Sequence, residues 1–467
     1  MTFSPRNRVL AVALIASAAV SSPSFARSRV SKKAAAEVKA HAGAGMALRA
    51  GAILSTLDLG IAARRGRFSA GLRLPVQVQI LSTSNEETER YRGLREKDWD
   101  ERAEWLRLLD HAAWRWRDRH GSRASLVVAP LGGATLGHGS VVHRYQATLR
   151  PDRFKSGARL RWDLGSWGGD VFTDDVTAAR IIAGRVFARP LGSRRVGIGR
   201  TVTLGATLAT DRSAPTLARH DAVGARIYKS TGALDAHRGA VVVGAFDLSA
   251  ELFRTPAWSV VPYADLLYTQ LSTASGLSAH FGGRIALWPG QKGREIGLRY
   301  ELRALDGGAL PSWFDGLYEV ENERWLAPGP SRTKVQAAAD RVGGGGGASV
   351  LTAHFVEVTA QVGRARWVAS LQRFDQPNLD TASLWCDLPM GDSFSLRVMA
   401  SKRRFSGLSD VLSGGHWTTA ATVRAQVVAP FDVFASLQNA WHVVPGQHES
   451  LTTTVDGIIG LSLTNTL

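Results

Sequence analysis

The side chains with the most chemical promise lie at His138-Gly139-Ser140. On an extended strand, positions i and i+2 share a face, so an imidazole and a hydroxyl at this spacing can meet as base and nucleophile. Glycines at 132, 133, 137 and 139 point instead to a tight turn or bulge, where backbone approaches closely. Asp174-Asp175 reads as a paired acid, but adjacent strand residues face opposite ways, so a solvated turn is the expectation there. His111, His120, His138, His143 and His416 show no i, i+4 pair beside a carboxylate, and no metal site is expected. The glycine run 343–347 carries no following Lys-Ser/Thr, so it is a flexible stretch, and no cofactor is expected. A hydrolase using His138 and Ser140 is the only catalytic reading and ranks third; no catalytic residue is assigned and the chain is read as not an enzyme.

The charged residues with a definite place belong to alternating segments. Residues 295–303 put Ile296, Leu298, Tyr300 and Leu302 on one face and Glu295, Arg299, Glu301 and Arg303 on the other. Residues 159–164 oppose Arg159, Arg161 and Asp163 to Leu160, Trp162 and Leu164, and 393–401 place Arg397 opposite Phe394, Leu396 and Val398. Period two is the signature of a strand with one apolar and one polar side. Arg159, Arg161, Asp163, Glu295, Arg299, Glu301, Arg303 and Arg397 are therefore the candidates to line a polar interior. Short connections at 63–67, 288–293, Gly363 and Pro430 fit hairpins. Many runs between them span ten to sixteen residues, against about five or six for ordinary strands.

Three stretches break the rhythm. Residues 84–121 form a charged, Trp-rich insertion in which 105–116 fits a helix or a strand equally. Residues 306–349 form a long Gly- and Pro-containing loop, and 402–416 a shorter polar one.

The composition narrows the class. The 467 residues are 45% hydrophobic and 21% charged, with mean hydropathy −0.07. That excludes a disordered chain and a polytopic helical membrane protein. One cysteine, Cys386, excludes a disulfide scaffold. Arg6 and Arg8, the apolar run 9–20 and Ser24-Phe25-Ala26 read as a signal peptide cleaved near Ala26, which leaves a mature net charge of +15 from the formal +17. Arginine supplies 48 of the 57 basic residues, a bias that a G+C-rich coding genome accounts for. The pI of about 10.6 raises nucleic acid as a partner, but export and the scattering of the charges argue against it.

Export, no spanning helix and long two-sided strands point to an all-β fold: a single closed antiparallel transmembrane β-barrel, since lipid requires every backbone group to be paired. About 440 mature residues at about 25 per strand and connection give about 16 strands, within 14–18. The expected organisation is signal peptide 1–26, lead segment 27–44 and barrel 45–467. A large secreted all-β protein is the alternative, disfavoured by strand length and the lack of a propeller-like repeat.

The last strand, with Ile459, Leu461, Leu463 and Leu467 at every second position, resembles the C-terminal assembly signal of Gram-negative outer-membrane barrels, which usually ends in Phe or Trp. The stretch 131–145, which ends Leu136-Gly137-His138-Gly139-Ser140-Val141-Val142-His143-Arg144-Tyr145, with Asp174-Asp175 and residues 185–191, is similar to an uncharacterised group of such proteins. That similarity spans roughly residues 45–330 and implies a barrel but no activity. Outer-membrane phospholipase and lipid A deacylase barrels use a His-x-Ser pair; Val141-Val142 follows here where the phospholipase pattern has Asn-Gly. The expected function is a passive, porin-like outer-membrane channel with a basic lumen for small anionic solutes. The alternative is a non-transporting envelope or surface scaffold. The expected partners are outer-membrane lipid, the barrel-assembly machinery and a small anionic solute.

Overall fold

The computed structural model describes residues 36–466 except 50–51, 83–92, 95–98, 100–103, 150–152, 193–200, 223–225, 229–232, 325–331, 344–349, 376–378, 392, 404, 406, 413–416, 429 and 444–450. The expected signal peptide, Leu467, His416 and most of the glycine run lie outside the described residues. The wall is one closed antiparallel barrel of 20 strands. In chain order these are β1 Glu37–Arg49, β2 Ala52–Arg65, β3 Phe68–Ser82, β4 Leu109–Arg117, β5 Arg123–Ala129, β6 Gly157–Asp163 and β7 Trp167–Thr173. Then come β8 Ile181–Ala188, β9 Thr203–Ala218, β10 Ala236–Ser249, β11 Trp258–Gln270, β12 Ser275–Leu287, β13 Arg294–Leu305 and β14 Leu351–Val362. The wall ends with β15 Ala365–Phe374, β16 Thr381–Met390, β17 Phe394–Arg403, β18 Trp417–Val428, β19 Phe431–Val443 and β20 Leu451–Thr466.

Each strand pairs with its sequence neighbour, and β1 closes on β20 from Lys39↔Thr466 to Leu48↔Gly457. The seam brings Gly45 opposite Gly460, where a Cβ on Gly45 would lie 2.2 Å from the Ile459 carbonyl oxygen. Only glycine allows that approach.

The count exceeds the expected 16 because strands such as β5, β6 and β7 have just seven residues each, so the strands and connections there are shorter than the assumed average of about 25 residues. The boundaries also shift. The wall begins at Glu37, inside the expected lead segment 27–44. The expected insertion 84–121 contains a wall strand: Glu104–Leu108 is a 3-10 turn and Leu109–Arg117 is β4, so 105–116 resolves mainly as strand.

Alternation dictates the two faces. Outward positions of the central strands are apolar and bare: Leu208, Phe246, Leu266 and Phe281 are 57–72% exposed. Exterior charges sit near strand ends, as with Arg294, whose guanidinium lies 4.3 Å above the Trp288 ring. Six exposed aromatics, Phe68, Trp167, Phe253, Trp258, Trp367 and Phe431, lie toward the end where β1 starts and β20 finishes (the terminus-bearing end), and Trp105 and Tyr268 lie toward the other. Among the described residues no helix is long and apolar enough to cross a membrane.

Connections differ between the ends. At the terminus-bearing end most are short, such as 66–67, 164–166 and 363–364. At the opposite end, 130–156 and 306–350 are long, and both fold into the barrel. Val142–His143 pairs in parallel with Phe314–Asp315, and the Phe314 N–H donates to the Val141 carbonyl at 3.1 Å. Tyr145, Trp313, Phe314 and Tyr318 are fully buried against Phe172, Ile181, Val243 and Leu267 of the wall. Each such side chain contributes about 1.5–3 kcal/mol. Loop 306–350 carries the helices α1 Tyr318–Glu321 and α2 Lys334–Gly343.

Candidate functional site

The barrel interior divides into a packed side and an open side. On the packed side, Glu319 and Glu321 of α1 and the following Glu323 are buried, and each meets a cation. Glu319 accepts from Lys155 Nζ at 2.7 Å and from Arg180 at 2.9 and 3.0 Å. Glu321 accepts from Arg403 of β17 at 2.8 Å and lies 3.4 Å from Lys334; Glu323 accepts from Arg153 at 2.8 Å. Asp315 receives Arg403 as well. The Tyr318 hydroxyl donates to Asp211 of β9 at 2.7 Å.

These contacts staple the in-folded loops to the wall. Burial alone would raise the Glu319 carboxyl, but Arg180 and Lys155 hold it well below the usual carboxylate range. Asp315 is likewise depressed against its burial by Arg403 and Lys334. Burial pushes the Tyr318 hydroxyl far up, so it stays a proton donor.

Asp174 and Asp175 do not form the expected solvated turn; both are buried. Asp174 takes Lys155 Nζ at 2.9 Å and the Ile181 N–H at 2.8 Å, and Asp175 takes the Thr177 hydroxyl at 2.7 Å. The turn is inside because loop 130–156 brings its own cation to it.

His138 and Ser140 enter the lumen on loop 130–156, but not as a base–nucleophile pair. Ser140 donates to Asp265 of β11, and His138 Nδ1 donates to the other oxygen of the same carboxylate at 2.8 Å. Asp265 therefore orients both. The His138 ring stacks on Tyr263 at 4.0 Å between centroids. His138, Asp247 and Asp265 offer ligand atoms within 4.8 Å of one another. Asp247 is already held by Arg185 in a two-point contact of 2.6 and 3.0 Å, which sets a fixed positive charge against that trio.

The strand register turns all eight expected lumen positions inward. Arg299, Glu301 and Arg303 are buried in one network, with Arg299 Nε donating to the Tyr263 hydroxyl at 2.7 Å and Arg303 Nε to Glu301 at 2.7 Å. Glu295 accepts from Arg284 at 2.8 Å, and Arg397 donates to Asp387 at 3.3 Å. Arg159 and Arg161 share Asp170, at 2.6 and 3.0 Å, while Asp163 accepts from Arg189 at 3.0 Å.

The open side is a cavity of about 1110 Å³ bounded by β1–β8, β19, β20 and loop 130–156. Its lining includes ten arginines against four aspartates. Both Arg123, first in β5, and Ala129, last in it, line the cavity, so it follows the seven-residue strand end to end, about 20 Å at about 3.4 Å per residue. Asp58 of β2 is gripped by Arg73 of β3 at 2.7–3.0 Å.

Arg73, Arg115, Arg117 and Arg123 belong to this lining but escaped the sequence reading, as did Asp247 and Asp265. The aspartates carry a usable signal, since each interrupts an otherwise apolar strand. The alternate glutamates of 319–323 are another, in a loop too polar at those positions to be buried without cations.

No family model and no curated protein matches the sequence. Among solved structures, the chain is similar to a mutant ferric enterobactin receptor from Pseudomonas aeruginosa in complex with enterobactin, at 8% identity, covering 93% of this chain and 82% of that one with TM-score 0.36. It is similar to Pseudomonas aeruginosa OccK2 in complex with glucuronate, at 10% identity, over 92% of this chain and 98% of that one, with TM-score 0.33. A third likeness is OmpT, an outer-membrane protein of Vibrio cholerae, at 7% identity, over 94% and 99% of the two chains, with TM-score 0.31.

Proposed function

We propose that this protein is an outer-membrane β-barrel that conducts small anions through the arginine-lined side of its lumen. The apolar exterior supports the membrane placement: a closed wall with bare Leu and Phe at mid-height and aromatics at one rim suits lipid better than water. Short turns at one end match the periplasmic side of such barrels, and the long in-folding loops then face outward. The observation that carries the conduction reading is the cavity itself. Its ten arginines face four aspartates, and even with Arg153 and Arg185 paired to Glu323 and Asp247 the lining stays positive from one end of β5 to the other; charged pore linings set ion preference.

Swelling of proteoliposomes in isosmotic small solutes tests the reading. Organic anions are expected to enter faster than neutral or cationic solutes of equal size, and equal or absent swelling rejects it. The filled side of the lumen favours a second reading, a non-transporting envelope scaffold, which the absence of swelling for every solute would support. In a hydrolase, Ser140 would first have to leave Asp265, because no Ser140–His138 bond holds it for attack.

A further inference from the structure

We propose that the terminus-bearing end of the cavity holds a recognition site for a compact oxyanion with two or more negative charges, built from Arg117, Arg123 and Arg161. The site deepens the anion-channel reading and rests on it.

Register brings the three together on the lumen face. Arg117 of β4 stands directly opposite Arg123 of β5, and Arg123 opposite Asp163 of β6. Ser125 of β5 lies between Arg115 on one side and Arg161 on the other. Like charges directly opposed across a strand pair repel, so this arrangement costs stability unless a negative group comes between them.

The local acids are already shared. Asp163 lies 3.0 Å from Arg189 and only 3.4 Å from Arg123. Asp170 serves Arg159 at 2.6 Å and Arg161 at 3.0 Å. Arg123, Arg159, Arg161 and Arg189 thus share two carboxylates, with Arg117 opposite Arg123. The Arg123 and Arg161 side chains remain 71% and 54% exposed, against 9% for Arg180 on the packed side.

Chemistry selects the ligand class. A guanidinium presents paired donors that match two oxygens of a phosphate or a carboxylate in two parallel bonds, a match that chloride, a single atom, does not offer. Several forks on adjacent strands reward an anion able to meet more than one, and the Ser125 hydroxyl adds a neutral donor. A phosphate monoester and a dicarboxylate share this chemistry.

Isothermal titration of the full-length folded barrel in detergent, with inorganic phosphate and with succinate over a chloride background, tests the site. Saturable binding of at least one probe is expected. The double substitution Arg123→Gln with Arg161→Gln is expected to weaken it about tenfold or more, while Arg161→Lys gives a smaller loss. Phosphate alone binding assigns the site to phosphoryl groups, and succinate alone to carboxylates. No saturable binding by wild type, or binding unchanged in a double variant of normal heat-modifiable gel mobility, overturns the site. The readout needs no conduction. A barrel that binds phosphate but conducts nothing keeps the site and sinks the channel, whereas an anion-selective barrel that binds neither probe does the reverse.

Discussion

The two sides of the lumen are built from the same kind of strand and end in opposite states. Around β9–β14, most inward charges are buried, either against one another, as in Arg299–Glu301–Arg303, or against groups carried by loops 130–156 and 306–350. Around β4–β6, inward arginines outnumber their acids and face the open cavity of about 1110 Å³. The difference lies in what the loops bring. Loop 306–350 carries Asp315, Glu319, Glu321 and Glu323 to the packed side, each answered by a lysine or arginine. On the open side the lining of loop 130–156 is largely Leu131, Gly132, Gly133, Thr135 and Gly137, which offers no carboxylate to the wall. A two-sided strand therefore fixes which residues face inward, and the loops decide whether those residues become structural or remain open to solute.

Glu319→Gln should break the contrast most severely. It leaves Lys155 and Arg180 buried with one carboxylate fewer, a change expected to cost about 3–5 kcal/mol. Thermal unfolding followed by gel mobility should shift down, and conductance should rise as loop 306–350 loosens. A variant that melts and conducts like wild type would show that the network does not hold the loops.

Acid should act on the same side. Once loop 306–350 is released, Glu319 and Asp315 titrate near their ordinary values, about 4. In the native state both are depressed, so their contribution is full above that value and is lost as pH falls through the native one. Limited proteolysis within 306–350 should therefore begin below about pH 4, ahead of wall unfolding. Loop protection that persists until the wall itself unfolds contradicts this.

Arg161→Glu on the open side should leave stability within about 1 kcal/mol, because its contact with Asp170 is half-exposed. It should nonetheless reduce anion preference in reversal-potential measurements; a large loss of stability with unchanged selectivity would reverse the comparison. Gly139→Ala should act on stability alone and leave selectivity unchanged. Gly139 has φ +83°, and an added Cβ would lie 2.7 Å from His143 Nδ1. The backbone strain alone costs about 1 kcal/mol, measured as a small drop in melting temperature.

Much of this contrast was legible as facing and little of it as filling. Period two placed Arg299, Glu301 and Arg303 inward because each alternates with an outward Leu or Tyr that needs an apolar neighbour. It also separated Arg159 and Arg161 from Leu160. Nothing periodic announces loop 130–156: Leu131, Leu136, Val141, Val142 and Tyr145 fit neither a strand nor a helix, since their burial depends on wall strands far along the chain. For the same reason His138-Gly139-Ser140 offered only a tight turn or a third-ranked catalytic spacing, since its partner, Asp265, lies on β11. The short strands β5 and β7 were hidden because seven residues give too few alternations to exceed chance.

Single-channel recording in a planar bilayer under a salt gradient tests the division of the lumen most directly. An open conductance whose reversal potential has the sign for anions, and shifts toward cations in Arg161→Glu but not when a packed-side arginine is replaced conservatively, is the expected result. A silent bilayer containing correctly folded barrel, or a reversal potential of cation sign, would contradict it.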